Sequence, residues 1–142
     1  MDSRVHFITV ATADLDAARH FYQEGLGWEP LVDVPDEILF FQIGPGLTLG
    51  LYDARTFTND LLAPGTAQPS GFTLSHNVDS ATLVDETIER LLAAGATLVT
   101  KPQFAAFGGY HGHVADPNGI VWEIAHNPAW SVDETGAVLL GE

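Results

Sequence analysis

The chain has 142 residues, 46% of them hydrophobic, which is enough apolar surface for one ordinary core, so a single domain over residues 1–142 is expected. Five basic against nineteen acidic residues give a net charge of −14, which disfavours nucleic acid and anionic membrane surfaces as partners. With no cysteine, disulfides, thiolate metal sites and cysteine nucleophiles are excluded, and any metal must be held by nitrogen and oxygen.

No apolar run approaches about 18 residues, and the start MDSRVHF lacks the basic and apolar regions of a signal peptide, so a cytoplasmic protein is expected. Val5 to Ala11 is rich in β-branched and aromatic residues and reads as a strand. Thr12 or Asp14 then caps a helix with Leu15, Ala18, Phe21 and Tyr22 on one face, and Gly25 and Gly27 stop it. Trp28 to Val32 is expected to be extended, followed by EILFFQI and LTLGLY joined by the turn GPG. The first unit therefore reads strand, helix and three strands over about residues 4–53.

Residues 54–70 contain Pro64, Gly65 and Pro69 without a clear period and read as a connecting loop. The pattern then begins again over about residues 71–127. GFTLSHNV is a strand, Asp79 or Ser80 caps a helix burying Val84, Ile88, Leu91 and Leu92, and Gly95 ends it. Ala96 to Thr100 is extended, and GYHGHVA and IVWEIAH form a hairpin across DPNG. The tail, 128–142, reads as a small hairpin turning at Glu134, Thr135 and Gly136. Laying PGLTLGLY on NGIVWEIA pairs Gly46 with Gly119 and Gly50 with Glu123. The fold class is thus α+β, two tandem βαβββ units whose curved mixed sheets enclose a cavity.

His111 and His113 are spaced by two on a strand, so their side chains share a face with Cα atoms roughly 6.6 Å apart. Glu123 joins them if the hairpin pairs His113 with Glu123, which needs a five-residue connection from 116 to 120. A four-residue connection pairs His113 with Trp122 and separates the group. If the three converge, two readings compete. Two imidazoles and a carboxylate suit a divalent metal ion such as iron(II), manganese, nickel, zinc or cobalt. Alternatively they move protons without a metal, Glu123 orienting a histidine and balancing its charge. Asp116 is read as a turn former, and Phe40, Phe41, Phe72 and Trp122 as core aromatics. Trp28, Tyr52, Phe104, Phe107 and Tyr110 lie at strand ends or loops, where they could line a mouth that stacks a planar ligand, and Arg55 is read first as a solvated loop arginine and second as a partner for an anionic group.

No phosphate-binding loop of the Gly-Lys-Ser/Thr type is present, and Ser75 beside His76 puts the two on opposite faces of a strand. Nucleotide-binding and serine-hydrolase readings are therefore weak.

The segments ITVATADLDAARHFYQEGLGWEP, FTLSHNVDS and ADPNGIVWEIAHNP resemble the vicinal oxygen chelate superfamily, which includes glyoxalase I, bleomycin-resistance proteins, fosfomycin-resistance enzymes and extradiol dioxygenases. Asp116, Pro117, Gly119 and Glu123 match its usual ending. The resemblance implies four ligand positions for metal-dependent members, and these fall on Phe7, Gly50, Thr73 and Glu123, of which only Glu123 ligates firmly. His6 and His76 are displaced from Phe7 and Thr73 by odd numbers of residues and point to the opposite face. Phe7, Thr9 and Thr73 then line the cavity. In fosfomycin-resistance relatives the positions of His111 and His113 face the cavity and contact substrate.

The resemblance therefore implies a cavity protein for a small organic ligand, without the usual four-ligand metal site, acting as a homodimer. If it is an enzyme, His113, Glu123 and His111 carry lyase or isomerase chemistry, or hold a metal for a lyase or dioxygenase. A protein that sequesters a drug or metabolite unchanged is the non-catalytic alternative.

Overall fold

The computed structural model describes residues 1–61, 72–106 and 108–140. They form two compact units, Met1–Ser70 with Pro117–Gly119, and Gly71–Asp116 with Ile120–Glu142. Among the described residues no helix is long and apolar enough to cross a membrane.

The first unit runs β1 (Phe7–Thr12), α1 (Leu15–Arg19), β2 (Val32–Val34), β3 (Ile38–Gly44), β4 (Leu47–Asp53) and α2 (Ala54–Leu61). Asp14 caps α1 by accepting from the Ala17 amide at 2.9 Å. The helix continues as a π-helix over His20–Gly25, and Gly27 leaves it at φ +75°. Leu15, Ala18, Phe21 and Tyr22 are buried as their spacing predicts, together with Leu39, Phe41, Leu49 and Leu51 of β3 and β4. The sheet order is β1-β4-β3-β2, parallel between β1 and β4 and antiparallel elsewhere.

Two expectations are corrected here. The strand assigned to Trp28–Val32 begins only at Val32, because Trp28 packs back on Tyr22 and Phe41, with ring centroids at 5.1 and 5.7 Å. The segment assigned to a loop from residue 54 opens with α2, where the Asp53 carboxylate accepts from the Arg55 amide at 3.0 Å and caps the turn. Its sequence ARTFTNDL holds two β-branched threonines and has little intrinsic helix preference, so contact with β1 and β4 decides the outcome.

Arg19 makes a two-pronged bond to Asp33, at 2.8 and 2.6 Å. The hydrogen bond from Arg19, with its charge, holds the Asp33 carboxyl below its ordinary value despite partial burial. A depressed carboxyl stabilises the fold above the ordinary aspartate range and loses that contribution as pH falls through the depressed value. Asp33→Asn should therefore cost up to about 1 kcal/mol at pH 7. Denaturant titrations should show the gap to wild type closing as pH drops below about 4.

The second unit runs β5 (Leu74–Asn77), α3 (Ala81–Ala93), β6 (Thr97–Phe104), β7 (Tyr110–Ala115) and β8 (Val121–His126), then a hairpin of β9 (Trp130–Val132) and β10 (Val138–Leu140). Its sheet order, β5-β8-β7-β6, repeats the first, with β5 and β8 parallel. Each unit is thus a four-stranded mixed sheet with one helix crossing between its parallel strands, which is the βαβββ arrangement read from the repeat. Val84, Ile88 and Leu91 are buried on α3, whereas Leu92 is half-buried. Ser80, not Asp79, caps the helix by accepting from the Leu83 amide at 3.2 Å. Ser80→Ala should lower the unfolding free energy by about 1 kcal/mol, seen as an earlier denaturant midpoint with unchanged slope.

Candidate functional site

The hairpin of β7 and β8 pairs His113 with Glu123 and His111 with Ala125. Its connection is the five-residue one. The Asp116 amide donates to the Ile120 carbonyl at 2.8 Å, and the Asp116 carboxylate accepts from the Ile120 amide at 2.8 Å. Asp116 is buried in this role as a turn former, and Gly119 takes φ +90° beside it. Strand alternation then places His111, His113 and Glu123 on one face.

On the other side of Glu123, β5 runs parallel to β8 with Ser75 in register. Ser75 Oγ donates to Glu123 Oε1 at 3.1 Å. The second oxygen, Oε2, accepts from His111 Nδ1 at 3.1 Å and from His113 Nε2 at 3.2 Å. The two imidazole rings stand 5.2 Å apart at 66°. Burial alone pushes the Glu123 carboxyl up, but the bonds from His111 and Ser75 and the charges of His113 and His111 outweigh it and hold the group below its ordinary value. Glu123 is therefore an ionised acceptor at neutral pH. His113 Nδ1 is buried and has no hydrogen-bond partner among the described residues.

One ligand atom from each of His111, His113 and Glu123 can be chosen so that all lie within 4.8 Å of one another. Neighbouring ligands on a divalent ion, with bonds of about 2.0–2.2 Å meeting at right angles, stand about 3 Å apart. The two nitrogen–oxygen separations, 3.1 and 3.2 Å, are close to that spacing, so these three residues could hold a small divalent cation.

This geometry sits in a chain whose residues 4–124 match the sequence model of the Glyoxalase/Bleomycin resistance protein/Dioxygenase superfamily. The chain belongs to this superfamily. It is similar to a glyoxalase-related enzyme from Fulvimarina pelagi, at 38% identity over 99% of this chain and 100% of that one, with a TM-score of 0.90. A glyoxalase/bleomycin resistance protein/dioxygenase from Nocardioides is 27% identical over 89% of this chain and 84% of that one, with a TM-score of 0.73. A lactoylglutathione lyase from Agrobacterium tumefaciens shares the fold, at 24% identity over 92% of this chain and 98% of that one and a TM-score of 0.70. No curated protein matches the chain.

Within the first sheet of this superfamily member, register places Thr9 beside Gly50 and Phe40 across from it. Phe7, Thr9, Phe40, Gly50 and Tyr52 share one face. Phe7 and Phe40 meet edge-on at 5.4 Å, and Phe40 and Tyr52 lie 5.6 Å apart. A Cβ at Gly50 would touch the rings of Phe40 and Tyr52 at 3.4 Å, so the second expected ligand position is closed over by aromatic carbon. The counterparts of Ser75, Glu123 and His113 are Thr9, Gly50 and Phe40, which offer no carboxylate and no imidazole.

The other sequence-derived candidates are dispersed. Thr73 is exposed just before β5. Trp28 belongs to the helix-covered side of the first sheet, with Tyr22 and Phe41. Tyr110 is on the α3 side of the second sheet, its hydroxyl donating to Asp85 at 2.9 Å and its ring 5.0 Å from Phe104. Neither Trp28 nor Tyr110 faces the way expected of a ligand contact, because strand alternation and ring packing turn each toward its helix. Phe107 lies outside the described residues. Arg55 donates to Asp53 at 3.1 Å. His76 pairs with Ile124, on the face opposite Glu123, as its odd displacement implies. Ser75 is the site residue that sequence reasoning missed. Its signal was available, since it stands two residues after Thr73 on the face assigned to the site.

Proposed function

We propose that this superfamily member binds a small organic molecule and moves protons on it at His111, His113 and Glu123, in a reaction of lyase or isomerase type that needs no four-ligand metal site. The observation that carries the reading is the single oxygen, Glu123 Oε2, accepting from both imidazoles. A neutral ring bonded in this way carries its proton on the nitrogen facing Glu123, and a second ring nitrogen without a partner is a base. His113 Nδ1 is such an atom, and leaving it unbonded costs about 1–3 kcal/mol. When a ring is protonated, the adjacent carboxylate offsets the new positive charge without itself taking the proton. Glu123 thus orients and balances, while the two histidines accept and return the proton.

The test is solvent exchange. A panel of small α-hydroxy and α-keto carbonyl compounds is incubated with the protein in D2O and followed by proton NMR. Deuterium should enter at the carbon beside the carbonyl of at least one compound with wild type, and not with His113→Ala. A compound that binds and is recovered without deuterium would instead mark a sequestering protein.

Donor spacing favours a second reading, in which His111, His113 and Glu123 hold a divalent ion among iron, manganese, nickel, zinc and cobalt. Such an ion would supply Lewis acidity toward a substrate with adjacent oxygens, for lyase or dioxygenase chemistry. Dialysis against each ion followed by elemental analysis decides it: one equivalent retained by wild type and lost by His113→Ala supports the metal. The same proposal takes the chain as a cytoplasmic homodimer, and sedimentation showing only monomer at micromolar concentration would overturn the dimer.

A further inference from the structure

We propose that Ser75 is a positioning residue of this site: its hydroxyl holds one oxygen of Glu123 so that the other is presented to both histidines. The inference rests on the proton-transfer reading only for its consequence in turnover; the geometry stands without it. The terminal torsion of a glutamate is broad and nearly two-fold, so a carboxylate bonded at one oxygen alone swings between neighbours. Glu123 is instead bracketed. On its β5 side, Ser75 donates to Oε1 at 3.1 Å from the residue directly in register. On its β7 side, His113 stands in register and His111 two residues earlier, and both donate to Oε2. Three donors on two flanking strands therefore meet one side chain on the strand between them.

Serine suits this task because it reaches Oε1 with a single side-chain torsion, so little rotamer freedom is lost in holding the bond. His76 cannot replace it, since it pairs with Ile124 on the opposite face. With Oε1 held, Oε2 is the shared acceptor, and that sharing sets the proton on Nδ1 in His111 and on Nε2 in His113. Ser75 touches neither a ligand nor a proton in transit. It acts through Glu123.

The experiment uses the full chain labelled with nitrogen-15 in its histidines, at neutral pH. Imidazole nitrogen–proton correlation spectra should show protonated Nδ1 for His111, protonated Nε2 for His113, and slow exchange of both N–H protons with water. In Ser75→Ala that exchange should quicken severalfold, up to about tenfold, as loss of one hydrogen bond allows. Ser75→Thr, which keeps the hydroxyl, should restore wild-type spectra. Wild-type tautomers and exchange in Ser75→Ala would overturn the proposal. So would equal disturbance in the alanine and threonine variants, because packing and not the hydroxyl would then be the cause. Failure of the proton-transfer reading looks different: the imidazole signals respond to Ser75→Ala, while no carbonyl compound takes up deuterium.

Discussion

Glu123→Gln should lower proton-transfer turnover by about 100- to 10,000-fold, the range associated with losing a positioned acid–base partner, while the protein stays folded. Glutamine keeps the size and reach of glutamate but offers one oxygen and an amide that only donates. In wild type, Oε2 accepts from His111 and His113 and Oε1 from Ser75. An amide oxygen can serve one side of this arrangement. With the amide oxygen toward the imidazoles, Ser75 can turn its hydroxyl to accept from the amide nitrogen; with the nitrogen toward them, donor meets donor and a ring must change tautomer or turn away. The negative charge that offsets a protonated imidazole is lost as well. Solvent-exchange rates measured beside circular-dichroism melting curves separate these effects from unfolding. Turnover within about twofold of wild type would remove Glu123 from the mechanism, since even a modest acid–base contribution exceeds that.

Gly112→Ala should destabilise the protein by about 1–3 kcal/mol, the cost of forcing extra carbon into a filled interior, and Gly112→Val by more. Gly112 lies between the two site histidines with its missing side chain directed at α3. A Cβ there would stand 2.6 Å from Ile88 Cδ1 and 3.1 Å from both the Pro102 nitrogen and the Thr100 oxygen. Ile88 can swing its terminal methyl aside. The β6 backbone has less freedom, because it is already irregular at this level: Thr100 pairs with His113 and Gln103 with His111, leaving two β6 residues opposite Gly112 alone. At roughly 2–4 °C per kcal/mol for a chain somewhat larger than this one, melting should fall by several degrees. Because His111 and His113 flank the strained position, site geometry should suffer with it. An alanine variant more stable than wild type would show that β6 retreats without cost, as an unstrained glycine-to-alanine change gains about 0.4–1 kcal/mol.

Much of this architecture is local and was legible as such. Alternation with period two and the helical spacing of Leu15, Ala18, Phe21 and Tyr22, then of Val84, Ile88 and Leu91, mark the strands, the helices and their buried faces. Asp14 and Ser80 cap because a short oxygen-bearing side chain at a helix start reaches the amide three residues on. The recurrence of the whole pattern identifies two equivalent units, and the spacing of His111 and His113 puts both imidazoles on one face. These properties depend on neighbours a few residues apart.

Partners distant in the chain were decided only by tertiary structure. Sequence left open whether His113 meets Glu123 or Trp122, since a one-residue change in the connection inverts every facing pair. The paired bonds between Asp116 and Ile120 settle that choice. Ser75 reaches Glu123 across 48 residues of chain, through a parallel register that no local pattern encodes. Likewise α2 forms on β1 and β4 against weak intrinsic preference, and Trp28 and Tyr110 turn to helix-covered faces because rings and an aspartate await them there. Apart from α2 and the start of β2, sequence by itself determined the elements, their faces and the residue types available for chemistry. The tertiary structure determined register, and with it the convergence of one carboxylate, two imidazoles and a hydroxyl, because side-chain periodicity specifies which way a residue points but not what stands opposite it.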